Sequence, residues 1–471
     1  MESEIGKIHE DLKSGSISCK GLVTLKIKEL EESPNNTANY LLAESALEQA
    51  ERVDRKVQAG EEIGLLEGIP FGLKDVYLLQ GSHASGSSAF LKGYIAPYTA
   101  TAVQKLMEAG AIPVVKENCD SFGHGSSNEN SAFGPVRNAL NEDLVPGGSS
   151  GGSAVNVAKG YTVFSIGGDT GGSIRQPAGF NKVYGLKPTY GRISRYGLMA
   201  YASSTDCVGP ISRSLEDIRI LLNTMSGRDD HDQTTIASSP IPEGIFSEGF
   251  PEKGLKLGYY KSFIENEHLD PEISKNFLEL IIRLKKQGLR IKQLDFFDTD
   301  VLVSTYYVLA MAETASNLAR LDGMNYGERM TADTLKEGYA LTRSVHFTEE
   351  TKRRIVGGNQ VLSHGHAEEI YLKARSLRSQ VTGAFNRDFK EVDLIISPVS
   401  PGPPPKIGCS LDHPLEMYLS DAYTVGFSLG GLPTLTSPLG LETGIQITAP
   451  KNQEQTILKF AKYLQESFDG T

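Results

Sequence analysis

The centre of the chain contains two related glycine-rich segments, GGSSGGS at residues 147–153 and GGDTGGS at residues 167–173. The window 145–200 holds 13 glycines in 56 positions, with six lysine or arginine residues and one acidic residue, Asp169. Paired glycines let the backbone adopt positive φ angles and bring amide N–H groups close to a ligand. Such amides bind anions or stabilise a developing oxyanion, so this window is the first candidate site.

Neither of two common glycine-loop motifs explains the window. A nucleotide phosphate loop would need a Gly-Lys-Ser/Thr ending or a Gly-x-Gly-x-x-Gly spacing, and residues 145–200 contain neither. Residues 147–151 match the Gly-x-Ser-x-Gly pattern of a nucleophile elbow, but that motif follows an apolar strand. The preceding stretch NALNEDLVP, residues 138–146, is typical of a loop. The remaining hypothesis is a serine hydrolase in which serines of both loops meet a lysine base.

Composition restricts the compartment and the ligands. The chain has 471 residues, a formal net charge of −11 and 39% hydrophobic residues, which is typical of a folded, water-soluble protein. The acidic balance argues against strong nucleic-acid binding by this chain alone, because nucleic-acid phosphates are negative. No apolar run is long enough for a membrane helix, and the charged N-terminus does not resemble a secretory signal. We therefore expect a cytoplasmic protein without a metal site.

Hydrophobic periodicity predicts the elements around the glycine loops. Residues 1–60 favour helices, whereas later residues alternate short apolar runs with helical patterns, which is typical of an α/β sheet. The polar stretch 227–254 is interpreted as a surface excursion within one domain. Long helical patterns cover about 299–320 and 367–391.

The glycine loops and their flanks resemble one enzyme family. Residues 147–153, GDTGGSIRQPA at 168–178 and GLKPT at 185–189 are similar to the amidase signature. Upstream, GIPFGLKD at residues 68–75 is similar to the lysine segment of the same family. The resemblance extends over nearly the whole chain, from about residue 5 to residue 465.

The resemblance implies the architecture. We expect an α/β fold of the amidase-signature type, with a central mixed β-sheet flanked by helices on both faces. Residues 1–60 would form an N-terminal helical segment packed on the core, and residues 61–471 would form the catalytic domain.

The resemblance also implies a Ser–Ser–Lys triad. Ser173 would be the nucleophile, Ser149 the bridging serine, held by a cis peptide, and Lys74 the base. A lysine, with an ordinary pKa of about 10.4, can accept a proton only where burial or nearby cations such as Arg175 hold it neutral. From the residues alone, Ser153 is as good a candidate as Ser149. The oxyanion hole would consist of the backbone amides of Thr170, Gly171, Gly172 and Ser173.

Further segments resemble the family members that hydrolyse glutamine for tRNA-dependent amidotransferases. Free glutamine carries an α-carboxylate and an α-ammonium, so its binding site needs a cation and an anion. The resemblance implies Arg353 for the carboxylate, Asp421 for the ammonium and Tyr307 as a wall of the pocket. The adjacent Arg354 and Tyr306 stay open as alternatives.

The same resemblance implies partners, the B and C subunits of an amidotransferase. Ammonia would pass to the B subunit, which uses ATP and Mg to amidate mischarged Glu-tRNA(Gln), and the small C subunit would join the pair. This chain would itself bind no cofactor. One alternative is a stand-alone amidase acting on small amides, and another is a non-catalytic scaffold. The presence of Lys74, Ser149 and Ser173 argues against the scaffold.

One position departs from the family pattern near the expected pocket. Residues 120–125 read DSFGHG where the family usually has DEFAMG, so His124 replaces a methionine. This replacement indicates either a structural variant or an altered choice of substrate.

Overall fold

The computed structural model describes residues 3–247, 254–412, 414–439, 441 and 443–469. The strands are β1 (Ala38–Leu41), β2 (Pro70–Lys74), β3 (Ile112–Glu117), β4 (Phe164–Asp169), β5 (Tyr184–Lys187), β6 (Cys207–Ser212), β7 (Lys256–Tyr260), β8 (Arg290–Leu294), β9 (Leu394–Pro398), β10 (Thr434–Ser437) and β11 (Ile445–Thr448). The α-helices are α1 (Glu4–Lys13), α2 (Cys19–Glu31), α3 (Ala43–Gln58), α4 (Thr101–Glu108), α5 (Gly151–Lys159), α6 (Arg175–Phe180), α7 (Leu215–Met225), α8 (Lys261–Ile264), α9 (Pro271–Lys286), α10 (Thr299–Asn317), α11 (Leu335–His346), α12 (Glu349–Leu362), α13 (Leu372–Asp388), α14 (Cys409–Asp412), α15 (Pro414–Leu419), α16 (Val425–Gly430) and α17 (Glu454–Asp469).

The strands of the described residues form one mixed sheet in the order β1-β3-β2-β4-β6-β5-β10-β11-β9-β7-β8. Strand β2 runs parallel to both β3 and β4, and β7 runs parallel to β8 and β9. The other neighbouring strands pair antiparallel. The predicted mixed sheet is therefore confirmed.

Helices cover both faces of this sheet. Consecutive residues of a strand point to opposite faces. In β9, Leu394 and Ile396 pack into a core with residues of α4, α7, α9 and α17. Ile395 packs instead with residues of α10, α13 and α16. The hydrophobic effect thus holds one helical layer on each side, as expected for this fold class.

The N-terminal segment differs from the prediction in one respect. Helices α1 to α3 are present, and residues of α2 and α3 pack against Ile112 and Val114 of β3. Between α2 and α3, however, the chain forms β1, which pairs antiparallel with β3 at the edge of the sheet. Residues 1–60 are therefore not purely helical. A four-residue strand is too short for periodicity to reveal, because its stability comes from its partner strand.

Other parts of the chain show where periodicity was informative. The predicted helical patterns correspond to α10 and to α13 with the preceding π-helical turn Ala367–Tyr371. Helices α11 and α12 were not predicted. In the stretch 227–247, Ile241 and Ile245 are buried in the main core, while residues 248–253 lie outside the described part. In the part of the chain that the structure describes, no helix combines the length and apolar character needed to cross a membrane.

Three neighbouring parallel strands each end in a charged residue. Lys74, Glu117 and Asp169 are the last residues of β2, β3 and β4. Because these neighbouring strands are parallel, their carboxyl ends meet on the same side, with Lys74 paired in register with Glu117. The candidate site lies at the carboxyl ends of these three strands.

Candidate active site

Lys74 projects from the end of β2 into a closed space between the two glycine loops. Its side chain is 2% exposed, and Nζ donates to Ser149 Oγ at 2.6 Å and to the carbonyl oxygen of Gly168 at 3.4 Å. The Gly148–Ser149 peptide bond is cis. The structure thus brings together the predicted base and the predicted bridging serine.

The alternative serine of the first loop has a different environment. Ser153 Oγ donates to Glu117 Oε2 at 2.5 Å, and the same carboxylate accepts from Asn156 and Ser165. Ser153 therefore ties α5 to the end of β3, and its hydroxyl is bound to Glu117. Of the two serines that the residues alone left equal, the geometry favours Ser149 as the partner of the lysine.

Ser173 lies in the turn between β4 and α6. Its backbone carbonyl accepts from the amide of Ser150 at 3.1 Å, which joins the second glycine loop to the first. The side chain is 7% exposed, whereas Ser149 is 1% exposed. A nucleophile has to be reached by a substrate, and the role of Ser173 as nucleophile stays a prediction.

A buried ion pair holds the shape of the second loop. Asp169 accepts from the amide of Ile174 at 3.1 Å and pairs with the Arg175 guanidinium at 2.9 Å. Arg175 also donates to the carbonyl oxygens of Gly171 and Thr424. Fixed in this way, residues 170–173 form a preorganised turn at the amino end of α6.

The glycines of this turn are required by close packing. A Cβ atom on Gly171 would lie 2.6 Å from Tyr306 Oη, and one on Gly172 would lie 2.4 Å from Thr424 Oγ1. Within the described part of the chain, the amides of Gly171, Gly172 and Ser173 donate to no protein acceptor. Amides that are held rigidly and left without a partner suit an oxyanion hole.

Burial controls the charge of Lys74. Loss of hydration lowers its pKa from the ordinary lysine value, and this effect exceeds the opposing influence of Cys119, Asp120, Asp169 and Asp206. The expectation that Arg175 assists finds no support, because that guanidinium is paired with Asp169. Beside Lys74 and Ser149 lies a cavity of about 20 Å³, enough for one water-sized group.

A second cluster contains a buried carboxylate, that of Asp421. Asp421 Oδ2 accepts from Tyr307 Oη at 2.7 Å and from Ser126 Oγ at 2.9 Å. Burial raises the pKa of this carboxyl to about 6. The backbone carbonyl of Asp421 accepts from Thr424 Oγ1, which packs on Gly172. This cluster therefore adjoins the turn at residues 170–173, called the oxyanion turn below.

The structure distinguishes the two adjacent arginines. The side chain of Arg353 is 44% exposed and contacts Glu350 at the surface of α12. The side chain of Arg354 is 2% exposed, and its guanidinium lies 5.3 Å from the ring centre of Tyr307. The geometry therefore places Arg354, and not the predicted Arg353, in the cluster with Asp421 and Tyr307.

Arg354 keeps one nitrogen for a ligand. Nε donates to Glu350 Oε1 at 2.6 Å and Nη1 donates to Tyr201 Oη, whereas the buried Nη2 has no hydrogen-bond partner among the described residues. A buried guanidinium N–H without an acceptor destabilises the folded protein. The carboxylate of a bound substrate could accept a hydrogen bond from it.

The two adjacent tyrosines also have different partners. Tyr307 binds Asp421, as described above, and packs against Tyr418 at 4.3 Å between ring centres. Tyr306 instead donates to Tyr201 Oη at 3.3 Å and touches Gly171. Tyr307 therefore lines the charged cluster, and Tyr306 connects that cluster to the oxyanion turn.

Sequence reasoning missed several residues of the cluster. Glu350 neutralises Arg354 and accepts from Tyr418, and Tyr201 binds Arg354. The spacing of Glu350 and Arg354, four residues apart on a helix, is a pattern that predicts an ion pair. No local pattern marks Tyr201, because its contacts come from distant parts of the chain.

The arrangement combines two chemical capabilities. A buried lysine and a serine can take up the proton of a second serine, beside free amides that can hold an oxyanion. A cation and an anion in the adjoining cluster can bind a small zwitterion. Together these features suit hydrolysis of the side-chain amide of an amino acid.

Comparison with known proteins agrees with this geometry. The family model described as amidase matches residues 22–458. The A subunit of glutamyl-tRNA(Gln) amidotransferase from Koribacter versatilis is 44% identical over 439 residues, covering 92% of this chain and 91% of the relative. The corresponding A subunit from Acidobacterium capsulatum is 47% identical over 398 residues, covering 83% of each chain.

A solved structure shows the same fold. The crystal structure of the glutamyl-tRNA(Gln) amidotransferase A subunit from Thermotoga maritima superposes with a TM-score of 0.76 at 32% identity, covering 94% of this chain and 90% of that chain. The match of the family model, the identity over most of the chain and the shared fold lead to one conclusion: the chain belongs to the amidase family and is similar over nearly its whole length to A subunits of glutamyl-tRNA(Gln) amidotransferases.

Proposed function

We propose that this chain is the glutaminase subunit of a tRNA-dependent amidotransferase, hydrolysing glutamine to glutamate and ammonia. The observation that carries the proposal is the Lys74–Ser149 hydrogen bond of 2.6 Å beside the free amides of the second glycine loop. The adjoining opposite charges of Arg354 and Asp421 favour glutamine over simple amides, because glutamine carries both an α-carboxylate and an α-ammonium. The similarity to A subunits supports the same assignment.

In this proposal Ser173 attacks the side-chain amide carbon of glutamine. Its proton passes to Ser149, whose own proton passes to the neutral amine of Lys74. The carbonyl oxygen becomes an oxyanion held by the amides of residues 170–173. Loss of one such donor typically costs about 3 kcal/mol of transition-state stabilisation.

The second half of the reaction reverses these proton transfers. The proton held at Lys74 returns through Ser149 to the leaving nitrogen, and ammonia departs as a glutamyl ester forms on Ser173. A water molecule then attacks that ester, giving glutamate and restoring the serine. The lysine is therefore base in one step and acid in the next, which requires a pKa below its ordinary value.

Substrate binding follows from the charged cluster. Arg354 Nη2 binds the α-carboxylate, and Asp421 binds the α-ammonium in its ionised form. Tyr307 orients Asp421, since its hydroxyl donates to the carboxylate. The cation of the pair is Arg354 in this proposal, because Arg353 is largely exposed.

The proposal includes partners and a compartment. Ammonia is used by the B subunit, which binds ATP and Mg and amidates Glu-tRNA(Gln), and the C subunit completes a heterotrimer. The charge of −11 fits a division of labour in which another subunit holds the tRNA. The complex acts in the cytoplasm, and this chain binds no cofactor.

The test is ammonia release from glutamine, measured with and without the B and C subunits and Glu-tRNA(Gln). We expect release that is stimulated by the partners and lost in the Ser173→Ala variant, which still assembles with them. The enzyme alternative is a stand-alone amidase. Full activity of the isolated chain on unrelated small amides, with no response to partners, would favour that alternative.

A further inference from the structure

His124 lies between two helices that carry the proposed glutamine pocket. Its Nδ1 atom is 3.1 Å from Thr351 Oγ1 of α12, and its Nε2 atom is 3.3 Å from Thr314 Oγ1 of α10. The ring is completely buried. One imidazole therefore bridges the two helices through both of its nitrogens.

These helices supply opposite sides of the pocket. Helix α10 carries Tyr307, and α12 carries Arg354. They approach closely, since a Cβ atom on Gly358 of α12 would lie 1.9 Å from the carbonyl oxygen of Met311 of α10. The His124 bridge thus acts where a small shift of one helix against the other changes the distance between the pocket residues.

His124 also supports the residue that holds Arg354. Its ring meets Tyr201 edge to face, with 4.7 Å between ring centres. The Tyr201 hydroxyl in turn accepts from Arg354 Nη1 and from Tyr306. The tyrosine ring is thereby fixed on one side by His124 and at its hydroxyl by the arginine.

The bridge requires a neutral imidazole. Burial and the nearby Arg354 lower the pKa of His124 well below the ordinary histidine value. A neutral imidazole has one donor and one acceptor nitrogen. Thr348 donates to Thr351 Oγ1, which leaves the Thr351 hydroxyl proton for Nδ1 and the Nε2–H for Thr314. This assignment of the tautomer satisfies both nitrogens.

We infer that His124 is a positioning residue for glutamine recognition: by bridging Thr314 and Thr351 and supporting Tyr201, it holds Arg354 in the orientation that leaves Nη2 for the substrate carboxylate. This inference rests on the proposed function. It assigns His124 to substrate affinity, because the Tyr201 ring that it supports binds the Arg354 guanidinium directly.

The experiment measures KM and kcat for glutamine in the complex with the B and C subunits. His124→Met introduces an apolar side chain of similar length and removes both hydrogen bonds. We expect KM to rise about tenfold while kcat stays within about twofold. His124→Gln, which keeps a donor and an acceptor, should recover part of the loss. The same change at the exposed His366, His366→Met, is the matched control and should leave both constants unchanged.

A double-mutant cycle tests the route of the effect. If His124 acts through Arg354, His124→Met should raise KM by less than about twofold in an Arg354→Lys background. An equal rise in both backgrounds, or an unchanged KM in the single variant, would overturn the inference. If His124→Met does not fold, Thr314→Val removes one end of the bridge and should raise KM in the same direction, and an unchanged KM there would equally overturn it. Absence of glutamine hydrolysis by the wild-type complex would overturn the proposed function together with this inference.

Discussion

The Nζ atom of Lys74 lies 2.6 Å from Ser149 Oγ, and both side chains are almost completely buried. This contact joins the end of β2 to the first glycine loop across 75 residues of sequence. A lysine in this position loses its hydration and is held by a serine hydroxyl and one carbonyl oxygen. Burial therefore lowers its pKa and makes the neutral form more accessible than in a hydrated lysine, as a base for serine chemistry requires.

The two serines of the first loop should respond differently to removal of the hydroxyl. Ser149→Ala should lower kcat for ammonia release by about 10³-fold, because the proton route from Ser173 to Lys74 is broken. Ser153→Ala should keep kcat within a few-fold and lower the free energy of unfolding by about 1–2 kcal/mol, because Glu117 loses a buried hydrogen bond. Steady-state kinetics and urea denaturation measure the two effects. A larger loss of kcat in Ser153→Ala would contradict the assignment.

The pH dependence of kcat should follow Lys74. Its active form is the neutral amine, and burial lowers its pKa, so kcat should rise with pH along a limb shifted below the ordinary lysine value of about 10.4. Lys74→Arg should be inactive at every pH, because a guanidinium stays protonated. The measurement is ammonia release from about pH 5 to about pH 10. A rising limb retained in Lys74→Arg would assign it to another group.

The oxyanion turn should not tolerate a methyl group. In Gly172→Ala the new Cβ would lie 2.4 Å from Thr424 Oγ1. The turn must therefore shift, and its amides would no longer point at the carbonyl oxygen of the substrate. We expect kcat to fall by about 10²- to 10³-fold, which is typical of losing one oxyanion donor. Gly93→Ala is the control, since a Cβ there meets no atom within 4 Å. Equal activities of the two variants would exclude this turn from the oxyanion site.

The adjacent arginines offer a matched pair. Arg354→Lys keeps the positive charge but loses the planar guanidinium, which binds Glu350 and Tyr201 while its Nη2 atom is available to the substrate. We expect KM for glutamine to rise about 100-fold, equivalent to about 2.7 kcal/mol. Arg353→Lys should change KM by less than about twofold, because the Arg353 side chain is 44% exposed and lysine keeps its positive charge beside Glu350. Steady-state ammonia release measures both. The opposite order of effects would restore Arg353 as the carboxylate ligand.

Glutamine affinity should fall in acid as Asp421 becomes protonated. Burial raises the pKa of this carboxyl to about 6, and only the anion attracts the substrate ammonium. Binding to the Ser173→Ala variant, followed by calorimetry, should weaken about tenfold for each pH unit below about 6. Use of this variant separates binding from the titration of Lys74. The Ser173→Ala/Asp421→Asn double variant should bind weakly and show no such slope, and a retained slope would assign the titration elsewhere.

Local patterns in the sequence identified the glycine loops and the α/β class, whereas Lys74 was identified by the resemblance to the amidase signature. Helices α10 and α13 follow from periodicity. Strand β1 and helices α11 and α12 did not, since their stability depends on distant partners or on packing that single-sequence periodicity does not report.

Only the tertiary structure decided between neighbours in the chain. Arg353 and Arg354 project about 100° apart around α12, so the phase of the packed helix determines which one enters the pocket. The same reasoning separates Tyr306 from Tyr307 on α10. Ser149 and Ser153 are distinguished by Lys74 and Glu117, which come from the ends of two parallel strands. Sequence therefore determined which chemical groups are present, and packing between distant segments determined which of them meet.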